Sequence, residues 1–209
     1  IRIIAEKNLP LSIVSLIRKA IPLLKRWATE PENDVYSGVL NFFKGRLEHM
    51  LTSMPDAPYA PNAVRAALAV RMDVIPDDIK RIGALSKFVE KPDFESLATA
   101  FKRVVNIIKD EPTEAAARMA EVDPSLFKEP QEQELWETFN KLREQVRSLA
   151  QQGDYFKALE KLAELKPAID AFFDSVLVMA KEEAIRHNRL AMLRTIKEFF
   201  EEIADFRML

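Results

Sequence analysis

The residues best suited to chemistry fall in two short stretches. Lys102, Arg103 and Asn106, in the run AFKRVVNI (100–107), lie on the polar side of an amphipathic helical pattern. Arg186, His187, Asn188 and Arg189 follow one another at the end of the polar joint KEEAIRHNR (181–189). Arginine and asparagine form directional hydrogen bonds to base edges, and the unstacked bases of an RNA loop present those edges freely. The same side chains also cap helix carbonyls and brace neighbouring helices. Residue type and spacing therefore leave two roles open: contact with RNA, or internal support.

Other reactive groups point away from catalysis. Asp170 and Asp174 stand one turn apart and could serve as a general acid and base; they read equally as a solvated helix face paired with nearby Lys or Arg. The two histidines, His49 and His187, are too far apart in sequence to make a metal-binding pair, and no HExxH spacing occurs. There is no P-loop, no GxGxxG and no GxSxG. No catalytic residue and no metal site is expected in this chain. Trp27 and Trp136 read as core or interface aromatics rather than stacking platforms.

The elements that must position these groups are helices. Only 4 glycines stand against 12 prolines in 209 residues, and helix formers fill the intervals between prolines, so the expected fold is all-α and multi-helical. The composition, 48% hydrophobic and 31% charged, is that of an ordinary folded domain. Absence of cysteine removes disulfides and thiolate chemistry and suits a reducing compartment. No apolar run approaches the ~18 residues of a membrane span. A net charge of -2 means that any contact with nucleic acid must be local and specific. A chain that opens at Ile1 without methionine or a signal peptide reads as a piece of a longer protein.

Taken in order, Ile13, Leu16, Ile17, Ala20, Leu23 and Leu24 predict one apolar face, with a kink at Pro22. Asp34 is the expected N-cap of a helix over 35–54 that turns Val39, Phe42, Phe43, Leu47 and Leu51 inward. Short helices are expected over 62–72 and along the stripe Ile79, Ile82, Leu85, Phe88 and Val89. Asp93 is the expected cap of a helix whose stripe is Leu97, Phe101, Val104, Val105 and Ile108. A short helix is expected in the proline-bounded run 110–130, with Leu126 and Phe127 as anchors. A long helix over 131–151 should end at Gly153, and Asp154 should cap the next. The end of the chain predicts two helices, one burying Phe172, Val176 and Met179 with Phe173 and Leu177 beside them, the other Leu193, Ile196, Phe200 and Ile203. Nothing repeats at a fixed period, which excludes a solenoid.

Four segments in order, AFKRVVNI (100–107), VDPSLFKEPQEQEL (122–135), GDYFKALEKLAELKPAIDAFFDSVLVM (153–179) and RHNRLAMLRTI with IADF (186–206), resemble the C-terminal region of the bacterial glycyl-tRNA synthetase beta-subunit family. The RVxNI, IDxFFDxVxVM and RxNRLxxL patterns resemble the DALR-type helical anticodon-binding domain, related to that of arginyl-tRNA synthetase. Upstream, RIIAEKNLPL, FFKGRLEHML, APNAVRAALAVRMD and RIGALSKF extend the likeness over nearly the whole chain. The resemblance implies a helical region over 1–92 leading into an anticodon-binding bundle over 93–209. It also implies a cytoplasmic heterotetramer of two alpha and two beta subunits, a class II glycine-tRNA ligase with its aminoacylation site on the alpha subunit. ATP and magnesium would then belong to that partner, with no cofactor held here, and tRNA(Gly) would be bound through Lys102, Arg103, Asn106, Arg186, Asn188 and Arg189. A helical domain that contacts the alpha subunit or another protein is the alternative, and the near-neutral charge favours it.

Overall fold

A computed structural model describes residues 1–24, 30–53, 58–109 and 121–209, apart from the side chains of Asp93 and Lys109. Its helices are α1 (Arg2–Glu6), α2 (Ile13–Leu24), α3 (Glu32–Thr52), α4 (Pro61–Val70), α5 (Ile75–Phe88), α6 (Pro92–Lys109), α7 (Pro130–Gln151), α8 (Tyr155–Ala163), α9 (Lys166–Ser175) and α10 (Glu183–Glu201). Single 3-10 turns cover Pro124–Leu126 and Phe206–Met208. No strand occurs among the described residues; one isolated antiparallel bridge, Ser12 with Val74, ties the start of α2 to the segment before α5. Trp27 and the short helix expected within 110–120 lie outside the described residues.

Proline sets several of the helix starts, because its missing N–H is one that a helix leaves unbonded in its first turn. Pro61, Pro92, Pro124 and Pro130 each open an element. The helix expected from Asp34 begins a turn earlier, at Glu32, so Asp34 sits in the first turn beside the helix's positive end. Likewise α6 begins at Pro92, one residue ahead of the expected cap Asp93. At the other end of α7 the expectation holds. Gly153 takes φ +77°, its N–H bonds to Ala150 O and the Asp154 N–H reaches back to Leu149 O, which closes the last turn in the left-handed manner glycine permits. Asp154 then caps α8 by accepting from the Lys157 N–H.

One apolar core runs through both halves of the chain. Phe101 of α6, Phe200 of α10 and Phe206 meet at ring-centroid distances of 5.1 to 5.5 Å, and all three are fully buried. Phe88 of α5 packs edge-on against both Phe94 and Phe156. Arg81 of α5 is buried in this core. Its guanidinium donates to the carbonyls of Ala67, Arg71 and Ile203 and to Asp78 Oδ1 at 2.6 to 3.0 Å, while the Asp205 N–H donates to Ala66 O. The 1–92 and 93–209 portions are thus joined through α4, α5 and the C-terminal turn.

Three predicted stripes differ from the structure. In α2 only Ile13 and Ile17 are buried; Leu16, Leu23 and Leu24 are exposed, and the helix continues through Pro22. In α3, Leu47 and Leu51 are buried as expected but Phe42 is 70% exposed, because no described residue covers that side of α3. After Ser175 the chain leaves the helix and becomes extended. Val176 and Val178 are buried while Leu177 and Met179 point outward, an alternation of period two where a helical period was expected.

Candidate functional site

The six residues singled out by the sequence divide into two groups. On α6, residues 102 and 106 are one turn apart, which places Lys102 and Asn106 side by side. Both are exposed and neither has an ion pair or hydrogen bond among the described residues. Arg103, turned toward α9, bonds to Asp170 Oδ1 at 3.3 Å and to Asp174 Oδ1 at 3.4 Å, and its guanidinium lies 4.8 Å from the ring centroid of Phe173. Lys166 takes the other oxygen of Asp170. The two aspartates are therefore a charge-paired helix face, with no geometry of an acid and base about a reacting atom.

The second group is largely interior. The joint that the sequence suggested between two helices is for the most part helix, since α10 begins at Glu183. Asn188 and Arg189 face inward at 6% and 5% exposure. Asn188 grips one residue of the segment before α7 from both sides: Oδ1 accepts from the Asp123 N–H at 2.8 Å and Nδ2 donates to the Asp123 carbonyl at 2.9 Å. Arg189 forms a two-pronged pair with the fully buried carboxylate of Glu132, each bond 2.9 Å, and its third nitrogen donates to Leu177 O at 2.8 Å. Arg186, half-exposed, donates to Ala180 O.

Glu132 is the residue that sequence reasoning missed. It occupies the first turn of α7, where Oε2 accepts from the backbone N–H groups of Lys128 and Glu129 as well as from Arg189. Burial pushes its carboxyl up, but Arg189 and those two N–H donors outweigh it and hold the group below the usual carboxylate range. A glutamate three residues after Glu129 at a proline-started helix is a recognisable capping signal; nothing local to it points to Arg189.

Between α9 and α10 runs the non-helical segment 176–182. Arg186 and Arg189 hold it at Ala180 and Leu177, while Arg103 reaches Asp174 in the last turn of α9. Leu177 in this segment is 72% exposed. Among the described residues no group of three or more His, Cys, Asp or Glu could hold a metal ion, and no helix is long and apolar enough to cross a membrane.

Comparison with known proteins gives this arrangement a context. The chain is 40% identical over 206 residues to the "Glycine--tRNA ligase beta subunit" of Geotalea daltonii, an alignment covering 99% of this chain and 28% of that protein. It is equally similar, 40% over 206 residues, to the protein of that name from Trichlorobacter lovleyi, with the same coverage. With the Geobacter sulfurreducens protein of that name it shares 43% over 181 residues, 87% of this chain and 25% of that one. The chain therefore spans less than a third of the length of these curated relatives. Residues 97–206, just over half of the chain, contain all six residues discussed above and match the DALR anticodon binding domain; this chain belongs to that family.

Proposed function

We propose that this chain binds the anticodon arm of tRNA(Gly) as part of a glycine-tRNA ligase beta subunit in the cytoplasm, and that it does no chemistry itself. The observation that carries the reading is the anticodon-binding family match over 97–206, within which Lys102 and Asn106 stand adjacent and exposed on α6, with no side-chain partner among the described residues. A lysine there offers a point charge to phosphate, and the asparagine amide offers a donor and an acceptor to a base edge. Arg186 retains donors beyond the one it gives to Ala180 and supplies a third contact. Arg103, Asn188 and Arg189 act as positioning residues, holding α6, α9 and the 176–182 segment in register. Glycylation, with ATP and magnesium, belongs to an alpha subunit in an assembly of two alpha and two beta chains, of the class II synthetase type.

The test is binding of the chain to tRNA(Gly), and to the same tRNA with its discriminating anticodon bases exchanged, at one stated salt concentration. Wild-type chain should prefer the cognate tRNA. Asn106→Ala should lower that preference by about 1–3 kcal/mol, and Lys102→Gln should weaken both tRNAs alike, with unchanged melting temperatures. Equal binding of both tRNAs by wild type, or full preference in Asn106→Ala, would sink the assignment.

A second reading rests on a different surface. Phe42 and Ile3, 70% and 71% exposed, flank a hollow of about 710 Å³ between α1 and α3 whose wall includes Arg46 and Met50. An apolar-walled hollow with a cation in its wall is a shape that suits protein contact. It supports docking of the alpha subunit or of the remainder of the beta subunit on that side, in addition to RNA binding by α6.

A further inference from the structure

A groove of about 770 Å³ opens between α5, which precedes the family match, and the start of α8, which lies within it. Its floor is Gly83 and Ala84 on α5, with Lys80 and Lys87 at its two ends. These four positions fall at i, i+3, i+4 and i+7, one helix face, which sets the two lysines about 10.5 Å apart along the axis. Tyr59 and Phe156 form the walls. Gly83 lets the tyrosine close in: a Cβ there would lie 3.3 Å from Tyr59 Cε1.

The charge on this groove is one-sided. Lys80 and Lys87 are exposed and neither has an ion pair among the described residues. Asp154, at the rim, is held by the Lys157 ammonium at 2.8 Å. Asp77 on the same helix is engaged by Tyr155 and Arg71. Most other cations on this flank are neutralised: Lys91 pairs with Glu160, Lys166 with Asp170, and Arg103 with Asp170 and Asp174. Those pairs lie on α8 and α9 and at the side of α6 that faces α9, and they leave Lys80 and Lys87 as the groove's cations without an ion pair among the described residues.

We propose that the α5–α8 groove is a second RNA contact, in which Lys80 and Lys87 bind the phosphate backbone of the tRNA away from the anticodon bases. The proposal rests on the tRNA-binding reading above and adds to it a site with no sequence preference. A basic groove with aromatic side chains in its lining suits an RNA backbone: two point charges meet phosphates and release their counterions, and the rings offer faces on which a base can stack. In a chain of net charge -2, such a local concentration of unpaired cation is what lets RNA bind at all.

The experiment measures the salt dependence of tRNA(Gly) binding for wild type, for Lys80→Gln/Lys87→Gln, and for a charge-matched control, Lys19→Gln/Lys141→Gln, whose lysines are exposed and unpaired elsewhere. Melting temperatures verify that each is folded. The groove variant should lose about 2 from the slope of log K against log salt, about 1 per phosphate contact, and should weaken cognate and anticodon-exchanged tRNA by the same factor. An unchanged slope, or an equal loss in the control, overturns the groove. Wild-type binding without anticodon preference, with the slope still lowered in the groove variant, would overturn the anticodon reading and leave the groove standing. No binding by wild type would overturn both.

Discussion

Replacing Arg189 by methionine tests whether this arginine is a brace or an RNA contact. In the folded chain its guanidinium gives two 2.9 Å bonds to Glu132 and one of 2.8 Å to Leu177 O. Methionine can fill much of the volume but leaves the Glu132 carboxylate buried and without its cation. Removing one partner of such a pair costs about 3–5 kcal/mol, a large share of the ~5–15 kcal/mol that holds a domain folded. Removing both partners is different. In Glu132→Met/Arg189→Met no charge is stranded, and the main loss is the cap that Glu132 provides to the Lys128 and Glu129 N–H groups, about 1 kcal/mol. The double variant should therefore be more stable than Arg189→Met by about 2–4 kcal/mol. Urea unfolding of wild type, both single variants and the double yields the coupling directly.

Acid adds an independent check. Because the folded-state pKa of Glu132 is depressed, its contribution is complete above the unfolded carboxylate's value of ~4.3 and is lost as the pH falls through the lower folded value. Glu132→Gln should lack that part of the acid-induced loss. The reasoning fails if Arg189→Met unfolds within about 1 kcal/mol of wild type. It fails equally if the folded double variant no longer binds tRNA, since the guanidinium would then be touching RNA.

Two further outcomes follow from groups in the core. Arg81→Met should cost about 3–5 kcal/mol, because it strands the buried Asp78 carboxylate, leaves the carbonyls of Arg71 and Ile203 without a donor and leaves that of Ala67 with only the 3.5 Å bond from the Arg71 N–H; thermal melts showing a loss under about 1 kcal/mol would contradict this. Tyr155 is half of a polar contact in which its hydroxyl donates to Asp77 and accepts from Arg71, and burial followed by the Asp77 carboxylate pushes it up to about 12. Its stabilising effect is complete below the free tyrosine's ~10 and disappears as the pH rises through the folded value. Melting curves taken across that alkaline range should fall more steeply for wild type than for Tyr155→Phe, and parallel curves would exclude the assignment.

The helices were legible where a stripe is closed on itself by local signals. The stripe of α6 and the Gly153–Asp154 junction could be read directly, because proline, glycine and aspartate act on the backbone beside them. Failures occurred where the deciding neighbour is distant. Phe42, Leu16 and Leu23 have helical spacing, yet their burial depends on distant surfaces that no described residue places over them. Phe172 and Val176 satisfy the helical period, but Ser175 ends the helix, and after it the alternation of Val176, Leu177, Val178 and Met179 fits an extended chain equally well. A four-residue apolar run carries too little periodicity to separate the two.

The site shows the same limit in a sharper form. Lys102 and Arg189 both read from the sequence as polar-face cations able to meet RNA, one on the 93–109 helix and one at the end of the 181–189 joint, and the structure puts one in solvent and the other in the core. What separates them is Glu132, 57 positions from Arg189, and no spacing rule reaches that far. Arginine tolerates burial because its planar guanidinium satisfies a carboxylate and a carbonyl at once, whereas lysine offers a point charge that is costly to remove from water. By that criterion the buried cations here, Arg81 and Arg189, are both arginines, each aimed at a carboxylate and at backbone carbonyls. Lys80, Lys87 and Lys102 have no partner among the described residues and lie outside. Arg81 and Arg189 therefore build the frame, and the RNA surface is more economically sought among exposed lysines, Arg186 and the exposed amide of Asn106.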